Sequence, residues 1–384
     1  MSASPHILLP AHGGQLRQIA ARYGISAAPL TDFSANINPD GPPSSVLTAI
    51  RRALKHPAAL VTYPDIELIE LKQAFAARMG SRPENVAVAN GFVPLLESAL
   101  RSRNIERCLL PVPCFNEYRS ALENAGVTLA PYRLSSDQVF EYEDDAILKA
   151  ILNHSCDAIL LANPQNPSGT LCGAQTMKRL IEMSARHNVT VLLDEAFIDY
   201  CPNESLTQWA VEQMNLIVFR SVTKFFAIPG LRVAYAVGSF CHIDAMNRFI
   251  TPWPVTSIAS DAVCAALNDK AYAEESRLAN ERRRRWLEQE LARLKIATYP
   301  SSANFLLLRF SAEVDVDLLW ERMIVEEQIV LRSCSNFEGL AKEHLRIAVR
   351  SESENEKLIR GLERVISNLG ARGFLSTRKH LRNS

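Results

Sequence analysis

Asp157-Ala-Ile-Leu-Leu-Ala162-Asn163-Pro-Gln-Asn166-Pro-Ser-Gly169 is an apolar run of strand length, broken at once by Asn-Pro and Ser-Gly steps that mark turns. The same texture recurs on both sides of it. Val86-Ala-Val-Ala89, Cys108-Leu-Leu-Pro111, Val189-Thr-Val-Leu-Leu193, Leu216-Ile-Val-Phe219 and Val233-Ala-Tyr-Ala-Val237 are short and bounded by polar or turn residues, which predicts buried strands. Between them, residues 94–103, 116–126, 174–187 and 206–214 carry helical spacing. This alternation predicts an α/β domain with a mostly parallel sheet.

Beyond Asp269 the texture changes. A charged helical stretch to about residue 294 leads into an apolar run at 303–310 and a helix near 316–327. Further runs follow at 329–332 and 345–349, and a helix near 352–369 ends the pattern. We read a large domain over residues 45–270 and a smaller α+β domain built from 1–44 and 271–370. The tail, 371–384, has four Lys or Arg residues and no acid, and is read as a flexible, solvated terminus.

The 384 residues include 42 Lys+Arg against 42 Asp+Glu, so no net field concentrates nucleic acid or anionic lipid at the surface. With 47% hydrophobic residues the chain can bury a large core, yet no apolar run approaches the length of a membrane span. Residues 1–11 lack the pattern of a secretory signal, so the expected location is the cytoplasm, with neither nucleic acid nor membrane as partner. Eight cysteines lie scattered without a Cys-x-x-Cys pair, which predicts free thiols and no metal site.

In open α/β sheets ligands sit beyond the carboxyl ends of the strands. Three polar clusters fall there: Asn163-Pro-Gln-Asn166, Asp194-Glu195-Ala-Phe197, and Ser221-Val-Thr223-Lys224 followed by Gly230-Leu-Arg232. Singly each has a structural explanation, as a turn, a helix cap or a solvated lysine. Together, at spacings of about 28 and 30 residues from Asn166 to Asp194 to Lys224, they match the needs of pyridoxal 5'-phosphate chemistry. Lys224 supplies the amine that joins the cofactor aldehyde, and Asp194 keeps the pyridine nitrogen protonated. Asn166 bonds the ring oxygen, while Ser221 and Arg232 hold the phosphate.

Ser-Val-Thr-Lys-Phe-Phe-Ala-Ile-Pro-Gly-Leu-Arg, with Asn-Pro-x-Asn-Pro-x-Gly and Asp-Glu-Ala-Phe, resembles the fold-type-I pyridoxal phosphate enzymes of the histidinol-phosphate aminotransferase branch. The resemblance runs to about residue 370. Within that branch, His12-Gly13-Gly14, Asp32-Phe-Ser-Ala-Asn36-Ile-Asn38-Pro, Pro252-Trp253, Ile329-Val-Leu-Arg332-Ser-Cys334 and Leu345-Arg346-Ile-Ala-Val-Arg350 look like the threonine-phosphate decarboxylase group of cobalamin synthesis. The resemblance implies an aspartate-aminotransferase-like α/β fold and a homodimer. It makes Phe115 the ring stacked on the cofactor, adds Thr223 to the cofactor contacts, and gives Tyr63 the phosphate of the partner's cofactor. It gives Arg346 the substrate carboxylate, and sets Arg332, His12, Gly13 and Asn36, with Asn166, around the rest of a small phosphorylated amino acid.

One departure stands out. Where the family has Gly and then an acidic or hydroxyl residue, this chain reads Asn90-Gly91-Phe92-Val93-Pro94. The backbone N–H groups of Gly91, Phe92 and Val93 and the helix dipole remain to hold phosphate, with Pro94 suited to a first helical turn. The expected reaction is decarboxylation of O-phospho-L-threonine or a similar compound, favoured by Phe197 where many aminotransferases of the branch have Tyr. The alternative is an aminotransferase of the histidinol-phosphate type, which uses the same lysine. A binding protein that has lost catalysis conflicts with the intact Lys224, Asp194, Asn166, Arg232 and Arg346. An acylating Ser221-x-x-Lys224 lacks its companion motifs.

Overall fold

Aliphatic residues fill both faces of the central strands, because helices cover the sheet on each side. In a computed structural model, which describes residues 12–380 and the side chains of 12–369, seven strands form this sheet. They are β1 (Val86–Ala89), β2 (Arg107–Val112), β3 (Thr128–Arg133), β4 (Ala158–Ala162), β5 (Thr190–Asp194), β6 (Leu216–Ser221) and β7 (Ala234–Val237). Their order is β1-β7-β6-β5-β4-β2-β3, and only β7 runs antiparallel to its neighbours. The first eleven residues of the expected small domain, and 381–384 of the tail, lie outside the described residues.

β3 is absent from the runs expected from sequence. It is an edge strand, half exposed along its length and carrying Pro131, so it lacks the continuous apolar signal of its neighbours. The helix expected at 206–214 shrinks to Thr207–Ala210, because Glu212 and Gln213 donate to carbonyls only three residues back as the chain turns into β6.

A second layer holds β8 (Ala297–Thr298), β9 (Phe305–Arg309), β10 (Arg332–Ser333) and β11 (His344–Ala348), antiparallel in the order β10-β11-β9-β8. Helices Val316–Val325 and Glu352–His380 join it, and Phe33, Leu287, Leu319, Met323, Ile347 and Leu362 lie in its core. The run at 329–332 divides: Ile329–Val330 pairs with Thr31–Asp32, whereas Arg332 enters β10. The carbonyl of the intervening Leu331 accepts from Trp320 Nε1 at 2.8 Å, which takes it out of the ladder.

Helix Lys270–Arg293, capped by Asp269, links the two layers. The N-terminal segment is tied at the same junction. Asn38 Nδ2 donates to the Phe225 carbonyl, the Tyr272 hydroxyl and Ser276 Oγ at 2.9–3.0 Å. Among the described residues no helix is long and apolar enough to cross a membrane.

Candidate active site

Strand register brings the polar clusters to one edge. Ala162 lies opposite Asp194, and Asp194 opposite Phe219, so the carboxyl ends of β4, β5 and β6 are level. Ala234 sits opposite both Ser221 and Ala89, which carries Arg232 and Gly91 to the same edge.

Asp194 is buried at the tip of β5. Its Oδ2 accepts from the Tyr118 hydroxyl at 2.6 Å, and its Oδ1 from the Ala196 N–H at 2.8 Å. Burial pushes its carboxyl above the ordinary range, while the Tyr118 hydrogen bond and the charge of Lys224 pull the other way. Lys224 Nζ donates to Ser221 Oγ at 3.3 Å and lies 5.7 Å from the centre of the Phe197 ring. Burial lowers its pKa; Asp194 opposes the shift and Arg232 adds to it. An acid pushed up beside an amine pushed down, at the carboxyl edge of the sheet, makes Asp194 and Lys224 the candidate reactive pair.

Next to them is a cradle whose donors suit a phosphate. Gly91 opens helix Phe92–Ser102 with a φ of +92°, and a Cβ there would sit 2.8 Å from Arg232 Nη2. Glycine therefore lets the arginine close over the free N–H groups at the helix start. Ser221 Oγ and Thr223 Oγ1, 2.8 Å apart, lie on the Lys224 side. Phe92 and Phe115 wall the region, each in ring contact with Tyr118 at 5.5 and 5.6 Å.

On the opposite side stand two buried arginines. Arg332 and Arg346 are directly paired across β10 and β11. Arg346 Nη1 donates to Asn166 Oδ1 at 2.6 Å and Nη2 to the Ser34 carbonyl at 3.3 Å, both neutral acceptors, while its Nε is buried without a partner. Burial first, and then the charge of Arg332, lower the Arg346 pKa to about 9. Arg332 donates to the Ser333 carbonyl and Asn336 Oδ1 and lies over the Phe337 ring; burial lowers its pKa too.

Ser34 also docks the N-terminal segment. Its Oγ accepts from the Gly14 N–H at 2.9 Å, and its carbonyl passes so close to Gly13 that a Cβ there would be 2.1 Å away. His12, more than two-fifths exposed, pairs through Nε2 with Glu117 at 2.9 Å and stands 6.2 Å from the Phe115 ring. Asn36 is buried with Oδ1 unpartnered.

The structure thus brings together Gly91, Phe92, Phe115, Asp194, Ser221, Thr223, Lys224 and Arg232, and joins Asn166 to Arg346 and Arg332. Tyr63 stands outside this network within the chain: it is 77% exposed, and its ring meets Trp253 at 4.8 Å. Tyr118 and Ser34 were missed as site residues in the sequence. For Tyr118 the signal was its position one helical turn after Phe115, on the same face.

A buried carboxylate, an adjacent amine at depressed pKa and a helix start closed by an arginine fit the pyridine nitrogen, aldehyde and phosphate of pyridoxal 5'-phosphate. The layers and their connections are those of the aspartate-aminotransferase-like, fold-type-I architecture. Residues 28–362 match the family model for aminotransferase class I and II, and the chain belongs to that pyridoxal-phosphate-dependent family. It is 34% identical over 369 residues to a threonine-phosphate decarboxylase of Salmonella typhimurium, covering 94% of this chain and 97% of that one. It is 30% identical over 360 residues to histidinol-phosphate aminotransferase 2 of Pseudomonas fluorescens, covering 92% and 94%. Among solved structures, the histidinol-phosphate aminotransferase of Clostridium acetobutylicum aligns with a TM-score of 0.81 at 28% identity, over 88% of this chain and 99% of that one.

Proposed function

We propose that this chain is a decarboxylase of O-phospho-L-threonine or a similar phosphorylated amino acid. The observation that carries the reading is Arg346, buried with the neutral Asn166 Oδ1 and Ser34 carbonyl as its hydrogen-bond acceptors and with Nε unpartnered. A buried guanidinium in that state calls for an anion, and a substrate carboxylate supplies one. The substrate phosphate is assigned to Arg332, directly opposite across the strands. Arg346, next to Asn166, takes the carboxylate; Arg332 takes the phosphate, with His12 and Asn36 closing the site from the N-terminal segment. The name of the relative at 34% identity supports the same class of substrate.

When bound, the cofactor supplies an electron sink for the pair released as a bond to the substrate Cα breaks. The protein's part is to orient and to hold protons. Burial favours the neutral, nucleophilic form of Lys224, Asp194 holds the ring nitrogen's proton, and Asn166 bonds the ring oxygen while touching the carboxylate-binding arginine. Phe92 and Val93 offer backbone N–H groups to the phosphate, with Ser221, Thr223 and Arg232, whereas the Gly91 N–H is already given to the Ala89 carbonyl at 2.9 Å and serves the turn instead. Phe197 stands near Lys224 where many aminotransferases of the branch have Tyr, and this resemblance supports decarboxylation.

The protein also acts as a homodimer in this reading. Tyr63, Leu60, Val61, Ile66, Ile69 and Trp253 are large apolar residues left exposed on one chain, and a second copy would cover them. Histidinol-phosphate amino transfer is the second reading, because that relative's name also denotes a phosphorylated substrate. Purified protein should be incubated with O-phospho-L-threonine alone, and with histidinol phosphate plus 2-oxoglutarate. We expect carbon dioxide without an acceptor in the first; glutamate in the second, with no carbon dioxide in the first, would overturn decarboxylation.

A further inference from the structure

Tyr118 lies in helix Asn116–Asn124, three residues after Phe115, and is 2% exposed. Its ring is gripped edge-on by Phe115, with an interplanar angle of 89°, and at 54° by Phe92. The hydroxyl is therefore aimed at one place, Oδ2 of Asp194, 2.6 Å away. The Ala196 N–H holds the other oxygen, so the carboxylate cannot rotate without breaking a bond. A residue that only filled space here would need no hydroxyl.

We propose that Tyr118 is a positioning residue for the cofactor: its hydroxyl holds Asp194 ionised and oriented so that the carboxylate grips the protonated pyridine nitrogen. The inference rests on the assignment of Asp194 to that nitrogen. The electrostatics agree with the geometry. Burial, followed by the charge of Asp194, raises the Tyr118 pKa well above its ordinary value, so the phenol remains a donor. Burial pushes Asp194 toward its neutral form, and the Tyr118 hydrogen bond is the first influence opposing this. In this chain the helix under the phosphate opens with Phe92 and Val93, so neither residue adds a side-chain donor to Asp194.

The test uses Tyr118→Phe and two ligands, pyridoxal phosphate and its 1-deaza analogue, in which the ring nitrogen is a C–H. Dissociation constants are measured by equilibrium dialysis, with a thermal melt to check folding. Losing a hydrogen bond to a charged group should weaken pyridoxal phosphate binding by about ten- to a hundredfold. Affinity for the deaza analogue, which has no nitrogen for Asp194 to hold, should stay at the wild-type value. In an Asp194→Asn background, adding Tyr118→Phe should change pyridoxal phosphate affinity little, because the two residues act as a unit. Equal loss for both ligands would assign Tyr118 to packing and overturn the inference, as would unchanged affinity for both. Additive losses in the double variant would also overturn it. If wild-type protein shows no preference for pyridoxal phosphate over the deaza analogue, the assignment of Asp194 fails first, and this inference fails with it.

Discussion

Two acid–base pairs stand back to back at the carboxyl ends of β5 and β6. On the side proposed to receive the cofactor are Asp194 and Lys224; through the sheet, on the other side, are Asp199 and Arg220. Adjacent residues of β6, Arg220 and Ser221, point to opposite faces, so one strand serves both. In the rear pair, burial would neutralise Asp199, but Arg220 and Arg78 outweigh it and hold the carboxyl below its ordinary value. Arg220 is likewise held above its ordinary value despite burial, by Tyr235, Asp199 and Glu195. Its guanidinium reaches Asp199 at 3.0 Å and Glu195 at 3.6 Å, and Ser205 and Thr207 accept further bonds. In the front pair both shifts have the opposite sense, toward neutrality. The opposite electrostatics distinguish the Asp199–Arg220 pair, which holds the fold, from the Asp194–Lys224 pair; Glu195, the third member of the rear cluster, is itself raised by burial against the pull of Arg220.

The sharpest way to separate the two is to delete each cation. Lys224→Met should abolish turnover and the visible absorption of bound cofactor, while the melting temperature stays the same or rises; residual turnover, or a borohydride-trapped adduct at another lysine, would remove Lys224 from its role. Arg220→Met should do the reverse in stability, leaving Asp199 and Glu195 buried and underpaired at a cost of about 3–5 kcal/mol in denaturant unfolding. If Arg220→Met unfolded like wild type, the rear network would not be structural.

A second pair of front-side charges extends the comparison. Arg332→Ala should cost roughly 2–5 kcal/mol in kcat/KM for the phosphorylated substrate and much less for its unphosphorylated counterpart. Arg346→Ala should damage both. Equal losses on the two substrates in Arg332→Ala would remove the phosphate from that arginine.

The smallest effect is in pH dependence. Because the folded-state pKa of Lys224 is lowered, the unfolded chain binds more protons between that value and the ordinary one near 10.4, so stability of the cofactor-free protein rises with pH through this window. Lys224→Met should flatten that rise. Asp199, with a lowered pKa, contributes stability above about pH 4 that is lost on acidification, and Asp199→Asn should remove that acid-side loss. Asp194, with a raised pKa, gives the opposite slope: stability falls as pH rises from about 4 toward its folded value. Unfolding free energies measured against pH for Lys224→Met, Asp199→Asn and Asp194→Asn check the signs.

The buried strands were legible because a strand covered on both faces is apolar at every position, and that needs no knowledge of its neighbours. The polar residues that follow them could be singled out for the same reason: a strand's end is a local feature, and Asn163, Asp194 and Ser221 each mark one. β3 was illegible, since an edge strand alternates and tolerates proline. What sequence could not state is which side chains meet. Tyr118 reaches Asp194 from 76 positions away, Arg346 reaches Asn166 from 180, and Arg78 reaches Asp199 from 121. Arg220 and Lys224, four residues apart, are both basic residues near a strand end in the sequence. Only the tertiary structure gives one a set of carboxylates and the other a desolvated place beside a single acid, because a charge's energy is set by what surrounds it in space.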